Sequence, residues 1–118
     1  MELTGQQEPM IVTDSDLTGS SFSGVAMGDA RFEDTKMTKA QFDHVDLSDS
    51  TFSQMRLVRS KFNNVDLSDI RVENVTLANA TIQNASLAGL SISDCDVSGM
   101  RIDGYLVSDL IAAYRKSL

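Results

Sequence analysis

An apolar residue recurs at every fifth position along nearly the whole of this 118-residue chain. The series fills all twenty such positions from Val12 to Val107. Because hydrophobic residues make up only 42% of the sequence, an unbroken run at this spacing indicates an internal repeat. Neither an α-helix nor a strand keeps a five-residue series on one face. The chain must turn by a constant amount in every repeat, and the pattern predicts a solenoid.

The neighbours of these apolar centres support the same interpretation. Sixteen of the twenty residues two places after a centre are Gly, Asn or Asp, which tolerate positive φ at tight turns. The exceptions are Lys39, His44, Gln54 and Arg59. The residue two places before a centre is small where the centre is Phe, as in Ser60–Phe62, and is larger in several repeats after the phenylalanines end, as in Leu90–Ile92. This exchange of volume predicts that both positions point into one packed interior.

The five-residue motif resembles that of the pentapeptide repeat family, roughly Ala-(Asp/Asn)-Leu-x-x. It occurs as Val-Asp-Leu-Ser-Asp at 45–49 and 65–69, and more loosely in the other repeats between about residues 10 and 109. The resemblance implies an all-β fold, a right-handed quadrilateral β-helix with four repeats per coil. The return of HVDLSD at 44–49 as NVDLSD at 64–69 independently supports a 20-residue coil. At a strand spacing of about 4.8 Å we expect about five coils and a rod about 24 Å tall.

The ends of the repeat divide the chain into three predicted parts: an N-terminal extension (1–9), the repeat β-helix (10–107) and a C-terminal helix (108–118). Ser108 is a candidate N-cap, Asp109 suits the first turn, and Arg115 and Lys116 suit the last. Helical spacing places four apolar residues on one side. They are Leu110, Ile111, Tyr114 and Leu118. This side is predicted either to cover the last coil as a lid or to form a dimer contact, since similar helices pair subunits in quinolone-resistance members of the family. The extension lacks a comparable apolar cap, so that end is either frayed or a second interface.

Sorting the repeats at 20-residue intervals separates the charge of this acidic chain, whose formal net charge is −7. One side has aspartates and no cation, and we name five of them the acidic flank, with Asp109 on the same side. They are Asp29, Asp46, Asp49, Asp66 and Asp69. The opposite side carries four cations, the basic flank, against Asp16 and Asp96. The cations are Lys36, Lys39, Arg56 and Arg59.

Like charges stacked one coil apart repel, so this sorting favours surfaces that are kept for a partner. Two alternatives are also compatible with the sorting. The charges could simply keep an edge-rich rod soluble. The aspartates could also hold a divalent cation through their oxygens, although a flat side offers few converging ligands.

Nothing in the sequence assembles a catalytic site. His44, the only histidine, is expected at a solvent-facing corner, so a His-containing triad or metal site is not expected within one chain. Phosphate-binding glycine motifs are absent, and a filled rod has no cleft. We expect no enzyme activity, cofactor or metal. Cys95 is the only cysteine, which excludes an internal disulfide, and its inward position predicts a buried structural thiol. No membrane-length apolar run or signal peptide is seen, which predicts a cytoplasmic protein.

These features predict a non-catalytic protein-interaction module, a rigid rod whose opposed flanks bind an unidentified protein, without direct nucleic-acid or membrane binding. The resemblance offers an alternative, because some family members mimic duplex DNA and bind DNA gyrase or topoisomerase IV in quinolone resistance. Charge density argues against mimicry. B-DNA carries one charge per about 1.7 Å, or about fourteen over 24 Å, whereas the acidic side carries six aspartates.

Overall fold

The chain forms a β-solenoid of about five coils followed by one short helix, in a computed structural model that describes the backbone of residues 2–3 and all of residues 11–118. Its principal extents are 43 × 24 × 20 Å. The expected all-β solenoid with a short C-terminal helix is confirmed. No helix in the described part of the chain is long and apolar enough to span a membrane.

Two sheets form opposite sides of the solenoid. The strands are β1 Glu2–Leu3, β2 Ile11–Thr13, β3 Ser21–Ser23, β4 Arg31–Glu33, β5 Gln41–Asp46, β6 Thr51–Arg56, β7 Lys61–Asp66, β8 Arg71–Thr76, β9 Thr81–Gln83, β10 Ser91–Ser93, β11 Arg101–Ile102 and β12 Tyr105–Leu106. The first sheet has the strand order β1-β3-β5-β7-β9-β11-β12, and the second has the order β10-β8-β6-β4-β2.

The register between neighbouring coils is 20 residues. Phe42 on β5 pairs in parallel with Phe62 on β7, and Phe32 on β4 pairs with Phe52 on β6. Isolated parallel bridges continue the same register on the other two sides, for example between Lys36 and Arg56. The 20-residue coil expected from the sequence is therefore confirmed, and equivalent residues stack along the axis.

Burial follows the predicted pattern through the middle of the rod. The centres and the residues two places before them are buried, while the intervening residues are exposed or half-buried. The Phe42 ring lies between Phe22 and Phe62, stacked at centroid distances of 4.8 and 4.6 Å. Phe32 and Phe52 form an edge-to-face pair at 5.2 Å. Two ladders of aromatic rings thus fill the interior from two sides.

The interior is slightly underfilled where the phenylalanines end. An apolar cavity of about 20 Å³ is lined by Phe62 and by residues of the later coils, among them Ile82, Leu90 and Ile92. The larger residues at 70 and 90 compensate only in part for the loss of the aromatic rings. The cavity is not enclosed, since Ile92 in its lining is 36% exposed.

Nine corners between residues 17 and 100 are closed β-turns. In each, the amide three residues after a centre donates to the carbonyl of that centre at 2.9–3.4 Å, as Ser50 does to Leu47. The residue at the third position of each turn has φ between 58° and 76°, while the second has no positive φ. This is the φ pattern of a type II turn, which favours Gly or Asn at its third position. The turn signal read from the sequence therefore corresponds to positive φ at every corner, and at alternate corners also to a hydrogen-bonded turn.

The helix α1 spans Val107–Lys116 and begins one residue earlier than predicted. Its N-cap is Leu106, which makes no side-chain capping bond, so the prediction that Ser108 caps the helix is wrong. The antiparallel pairing of β11 with β12 delivers the chain directly into helical geometry, which leaves Ser108 inside the first turn. Asp109 does lie in the first turn, and Arg115 and Lys116 lie in the last.

The apolar side of α1 does not cover the last coil. No residue of α1 is buried, and the four apolar residues of this side are 42–85% exposed. They are Leu110, Ile111, Tyr114 and Leu118. Ile92 at the end of the core is itself 36% exposed. The lid interpretation is therefore wrong. At the other end, β1 pairs with β3, and the remaining expectations for residues 1–9 fall outside the described residues.

Candidate interaction surface

The coil register stacks the acidic flank into columns. Asp46 lies directly beside Asp66 in the paired strands β5 and β7. The other three members, Asp29, Asp49 and Asp69, occupy the third position of closed turns, with φ of 63°, 60° and 58°. Asp tolerates this left-handed conformation better than most residues. The sequence interpretation of these five residues as one stacked array agrees with the geometry.

The acidic flank also has a local structural role, which the sequence interpretation missed. Asp46 Oδ1 accepts hydrogen bonds from Ser48 N at 2.9 Å and from Ser48 Oγ at 2.7 Å. Asp66 Oδ1 accepts the same pair from Ser68, at 2.9 and 2.5 Å. Such bonds satisfy turn amides locally. The recurrence of Asp-x-Ser two places apart was a readable signal for this turn.

The same turn motif lies at both ends of the basic side. Asp16 accepts from Thr18 N and Oγ1, and Asp96 accepts from Ser98 N and Oγ. These hydroxyl and amide bonds hold the pKa of Asp16 and of Asp96 below the ordinary aspartate value. The Ser68 hydroxyl and amide lower the pKa of Asp66 in the same way. All three carboxylates are thus stabilised in their charged form.

The basic flank forms a two-by-two array in the middle of the rod. The backbone of Lys36 forms a parallel β-bridge with that of Arg56 in the next coil. Lys39 and Arg59 occupy the third position of closed turns in consecutive coils, with φ of 63° and 60°. All four side chains belong to exposed residues. Half-buried Val58 lies in the chain between Arg56 and Arg59, which gives this corner an apolar element among its cations.

No side chain of either flank forms an ion pair within residues 11–118, although Lys36 lies one coil from Asp16 and attracts its carboxylate. Within residues 11–118 the ion pairs are Arg31–Glu33 at 3.8 Å and the contact of His44 Nδ1 with Asp43 Oδ1 at 3.1 Å. Both pairs lie outside the two flanks. The charges of the acidic and basic flanks are therefore available to a partner.

The remaining candidate groups do not converge on a reaction centre. His44 lies at an exposed corner with φ of 56°, as expected. Cys95 lies in an inward position but is only half-buried, since no further coil covers it, and its Sγ–H donates to Ser93 O at 3.1 Å. The predicted inward position is observed, but the predicted burial of the thiol is only partial. In the described part of the chain no three His, Cys, Asp or Glu side chains cluster around a common point where a metal ion could sit.

A shallow polar groove runs across strands β5, β7 and β9. It has a volume of about 490 Å³, and its polar lining comes from two rows of side chains on either side of the aromatic ladder. The rows are Gln41, Lys61, Thr81 and Asp43, Asn63, Gln83. Asn63 Nδ2 donates to Asp43 Oδ1 at 3.4 Å, and Asn84 Nδ2 donates to Asn63 Oδ1 at 3.0 Å. Some of the polar groups that line the groove are therefore already hydrogen-bonded to neighbouring side chains. The flanks carry the stronger unpaired charge.

Comparison with known proteins identifies the repeat. A family model described as "Pentapeptide repeat region" matches residues 13–82, more than half of the chain. No curated protein sequence matches significantly. Among solved structures, the chain is similar to a pentapeptide repeat protein of the Arabidopsis thaliana thylakoid lumen, with 24% identity, a TM-score of 0.45, and 86% of this chain and 75% of that one covered.

Two further solved structures are similar. QnrB1, a plasmid-mediated fluoroquinolone resistance protein, shows 12% identity and a TM-score of 0.27 over 94% of this chain and 98% of that one. Rfr23 of the cyanobacterium Cyanothece shows 12% identity and a TM-score of 0.28 over 86% and 84%. These likenesses are too distant to indicate a role. The repeat match and the 20-residue coil together show that the chain belongs to the pentapeptide repeat family.

Proposed function

We propose that this protein is a non-catalytic interaction module, a rigid rod that offers its acidic and basic flanks to a protein partner. The observation that carries the proposal is the sorting of unpaired charge onto opposed sides by the coil register. Electrostatic complementarity of this kind guides encounter and selects partners more than it adds raw affinity. A rod of fixed register suits that role, since its charges keep their spacing.

The rigidity of the backbone supports the proposal. Each coil is tied to the next by parallel pairing and by corner amides, such as Asp49 N to Ser68 O at 2.9 Å and Arg59 N to Ala78 O at 3.0 Å. A partner that binds such a surface orders little backbone, which lowers the entropic cost of association. The side chains remain free to adapt.

Capture of partners from host lysate tests the proposal. The bait is the full chain, compared with an acidic-flank variant (Asp46→Asn, Asp66→Asn) and a basic-flank variant (Lys36→Gln, Arg56→Gln). We expect at least one protein to be retained by the wild type and lost from one of the variants, with unchanged circular dichroism. Identical partner lists for all three baits would contradict a role for the flanks.

We also propose that the exposed side of α1 pairs with a second copy of the chain. Leu110 and Ile111 are 46% and 42% exposed, and Tyr114 is 65% exposed, so the helix carries an uncovered apolar stripe. Light scattering should give the mass of a dimer, and Ile111→Asp with Tyr114→Ser should give a monomer. A monomeric wild type at about 100 μM, a concentration chosen to sit above a dissociation constant of about 10⁻⁵ M, would contradict this contact.

Mimicry of duplex DNA toward DNA gyrase or topoisomerase IV is the alternative. The stacked Asp46–Asp66 column on a rod favours it, whereas the opposed basic flank and the charge density argue against it. A gyrase supercoiling assay separates the two functions. Inhibition or protection that is lost on Asp46→Asn and Asp66→Asn would support mimicry, and no effect at micromolar protein would exclude it.

A further inference from the structure

We propose that the basic flank is the docking site for a short acidic peptide segment of the partner. This inference rests on the proposed interaction function and goes further by choosing one flank and the chemistry that it recognises. The four cations of this flank occupy positions where the fold itself favours other residues. The acidic flank shares the like-charge stacking, but its aspartates are residues that the turns favour.

The closed turns give the first line of support. Of the nine turns between residues 17 and 100, seven carry Gly, Asp or Asn at the third position, and the two exceptions are Lys39 and Arg59. Their own column otherwise holds Gly19, Asn79 and Gly99. A long side chain in the left-handed region is disfavoured relative to Gly or Asn. The exceptions are confined to two consecutive coils on one side.

The turn-capping carboxylates give the second line of support. In the column that contains Lys36 and Arg56, the first and last coils carry Asp16 and Asp96, and each makes two bonds to the Ser or Thr two residues on. Lys36 cannot accept such bonds, although Thr38 is in place to donate them. Lys36 therefore lacks the local turn-stabilising hydrogen bonds that Asp16 and Asp96 make in the same column.

Charge repulsion gives the third line of support. The backbone of Lys36 forms a parallel β-bridge with that of Arg56. Lys39 N donates to Val58 O in the turn that carries Arg59. Like charges therefore lie one coil apart in both columns. Like charges in register are destabilising. None of the four cations belongs to an ion pair of residues 11–118. His44 and Gln54 also have positive φ, but neither has a residue of like charge stacked against it in a neighbouring coil.

The extent of the basic flank indicates its ligand. It is two coils tall, and Asp16 and Asp96 lie in the same column beyond Lys36 and Arg56. A nucleic acid that tracked the rod would meet these carboxylates within one or two coils, about 5–10 Å, on either side. A few adjacent carboxylates on a peptide fit between them. Half-buried Val58 provides an apolar contact of the kind that peptide side chains use.

Fluorescence anisotropy tests this assignment with a labelled ten-residue peptide in which a short central block of Asp and Glu is flanked by Gly and Ser. The test variant is Lys39→Asn with Arg59→Asn, which adopts the residue already present at Asn79 and should fold. The matched control is Lys61→Gln with Arg71→Gln, which removes the same charge from the two sheet faces. At 50 mM salt we expect at least fivefold weaker binding for the test variant and less than twofold for the control.

Two further probes decide the ligand class: the Asn/Gln version of the peptide and a ten-nucleotide oligothymidine. Neither should bind as tightly as the acidic peptide. Tighter oligothymidine binding, equal losses in test and control variants, or no acidic-peptide binding at millimolar concentration would each overturn the inference. If lysate capture still loses partners on the acidic-flank substitutions, the interaction function stands and only this assignment fails.

Discussion

The stacked phenylalanine rings should contribute unequally to the free energy of unfolding, according to how many ring neighbours each one has. Phe42 contacts two stacked rings, Phe22 and Phe62, at 4.8 and 4.6 Å, whereas Phe62 has one such ring neighbour. Both side chains are at most 3% exposed, so their burial is nearly equal. Substitution of either by Leu retains most of the apolar volume and removes the ring contacts. The two variants therefore differ chiefly in the number of aromatic pairs lost.

Each aromatic pair contributes about 0.5–1.5 kcal/mol beyond buried area, and the smaller side chain adds a cavity penalty of about 1 kcal/mol. We expect Phe42→Leu to lower the free energy of unfolding by about 2–4 kcal/mol and Phe62→Leu by about 1.5–2.5 kcal/mol. Phe52→Leu, which removes one edge-to-face pair, is the control and should resemble Phe62→Leu.

Urea unfolding followed by far-ultraviolet circular dichroism measures these differences, with the dependence on urea expected to be unchanged if the transition stays cooperative. A solenoid couples each coil mainly to its neighbours, so a central substitution should weaken coils on both sides. If Phe42→Leu costs no more than Phe62→Leu and Phe52→Leu, the stacked ladder adds nothing beyond burial and the reasoning is wrong.

Two further predictions concern the corners. The lowered pKa of Asp66 means that its charged form stabilises the fold above the ordinary aspartate pKa, and that this contribution is lost as the pH falls through the lowered value. Ser68→Ala should raise that pKa in an NMR titration, and an unchanged value would show that the hydroxyl is not its main cause. Gly99 and Gly24 both have positive φ, but a Cβ at Gly99 would collide with the Asn79 side chain, while Gly24 faces open space. Gly99→Ala should therefore destabilise more than Gly24→Ala in thermal or urea unfolding, because the Asn79 side chain must shift as well, and equal losses would contradict the contact.

The repeat pattern predicted most of the fold because one physical constraint recurs twenty times. Apolar centres such as Phe42 and turn formers such as Asp49 are read correctly because burial and positive φ each demand particular residue types. The helix start was missed because the β11–β12 pairing, a tertiary feature, sets it, and the N-cap is Leu106. The exposure of Cys95 depends on how the last coil is covered, which composition does not encode.

The two flanks could be located from the sequence, but their physical meanings could not be separated. Spacing alone treats Asp46 above Asp66 and Lys36 above Arg56 as equivalent like-charge stacks. The hydrogen bonds from Ser48 to Asp46 distinguish them, since they give the acidic residues a role in the turns. The Asp-x-Ser spacing was visible in the sequence, but the bonds that it makes are established only by the hydrogen-bond geometry.

The central claim is that the basic flank is retained at the expense of stability, and the free energy of unfolding tests it most directly. Lys39→Asn with Arg59→Asn places a residue that tolerates positive φ at both turn positions and removes two like charges that lie one coil apart. We predict that the double variant is more stable than the wild type by about 1–2 kcal/mol in urea unfolding. The Lys61→Gln, Arg71→Gln control should change by less than about 0.5 kcal/mol. A double variant as stable as the wild type, or less stable, would contradict the account.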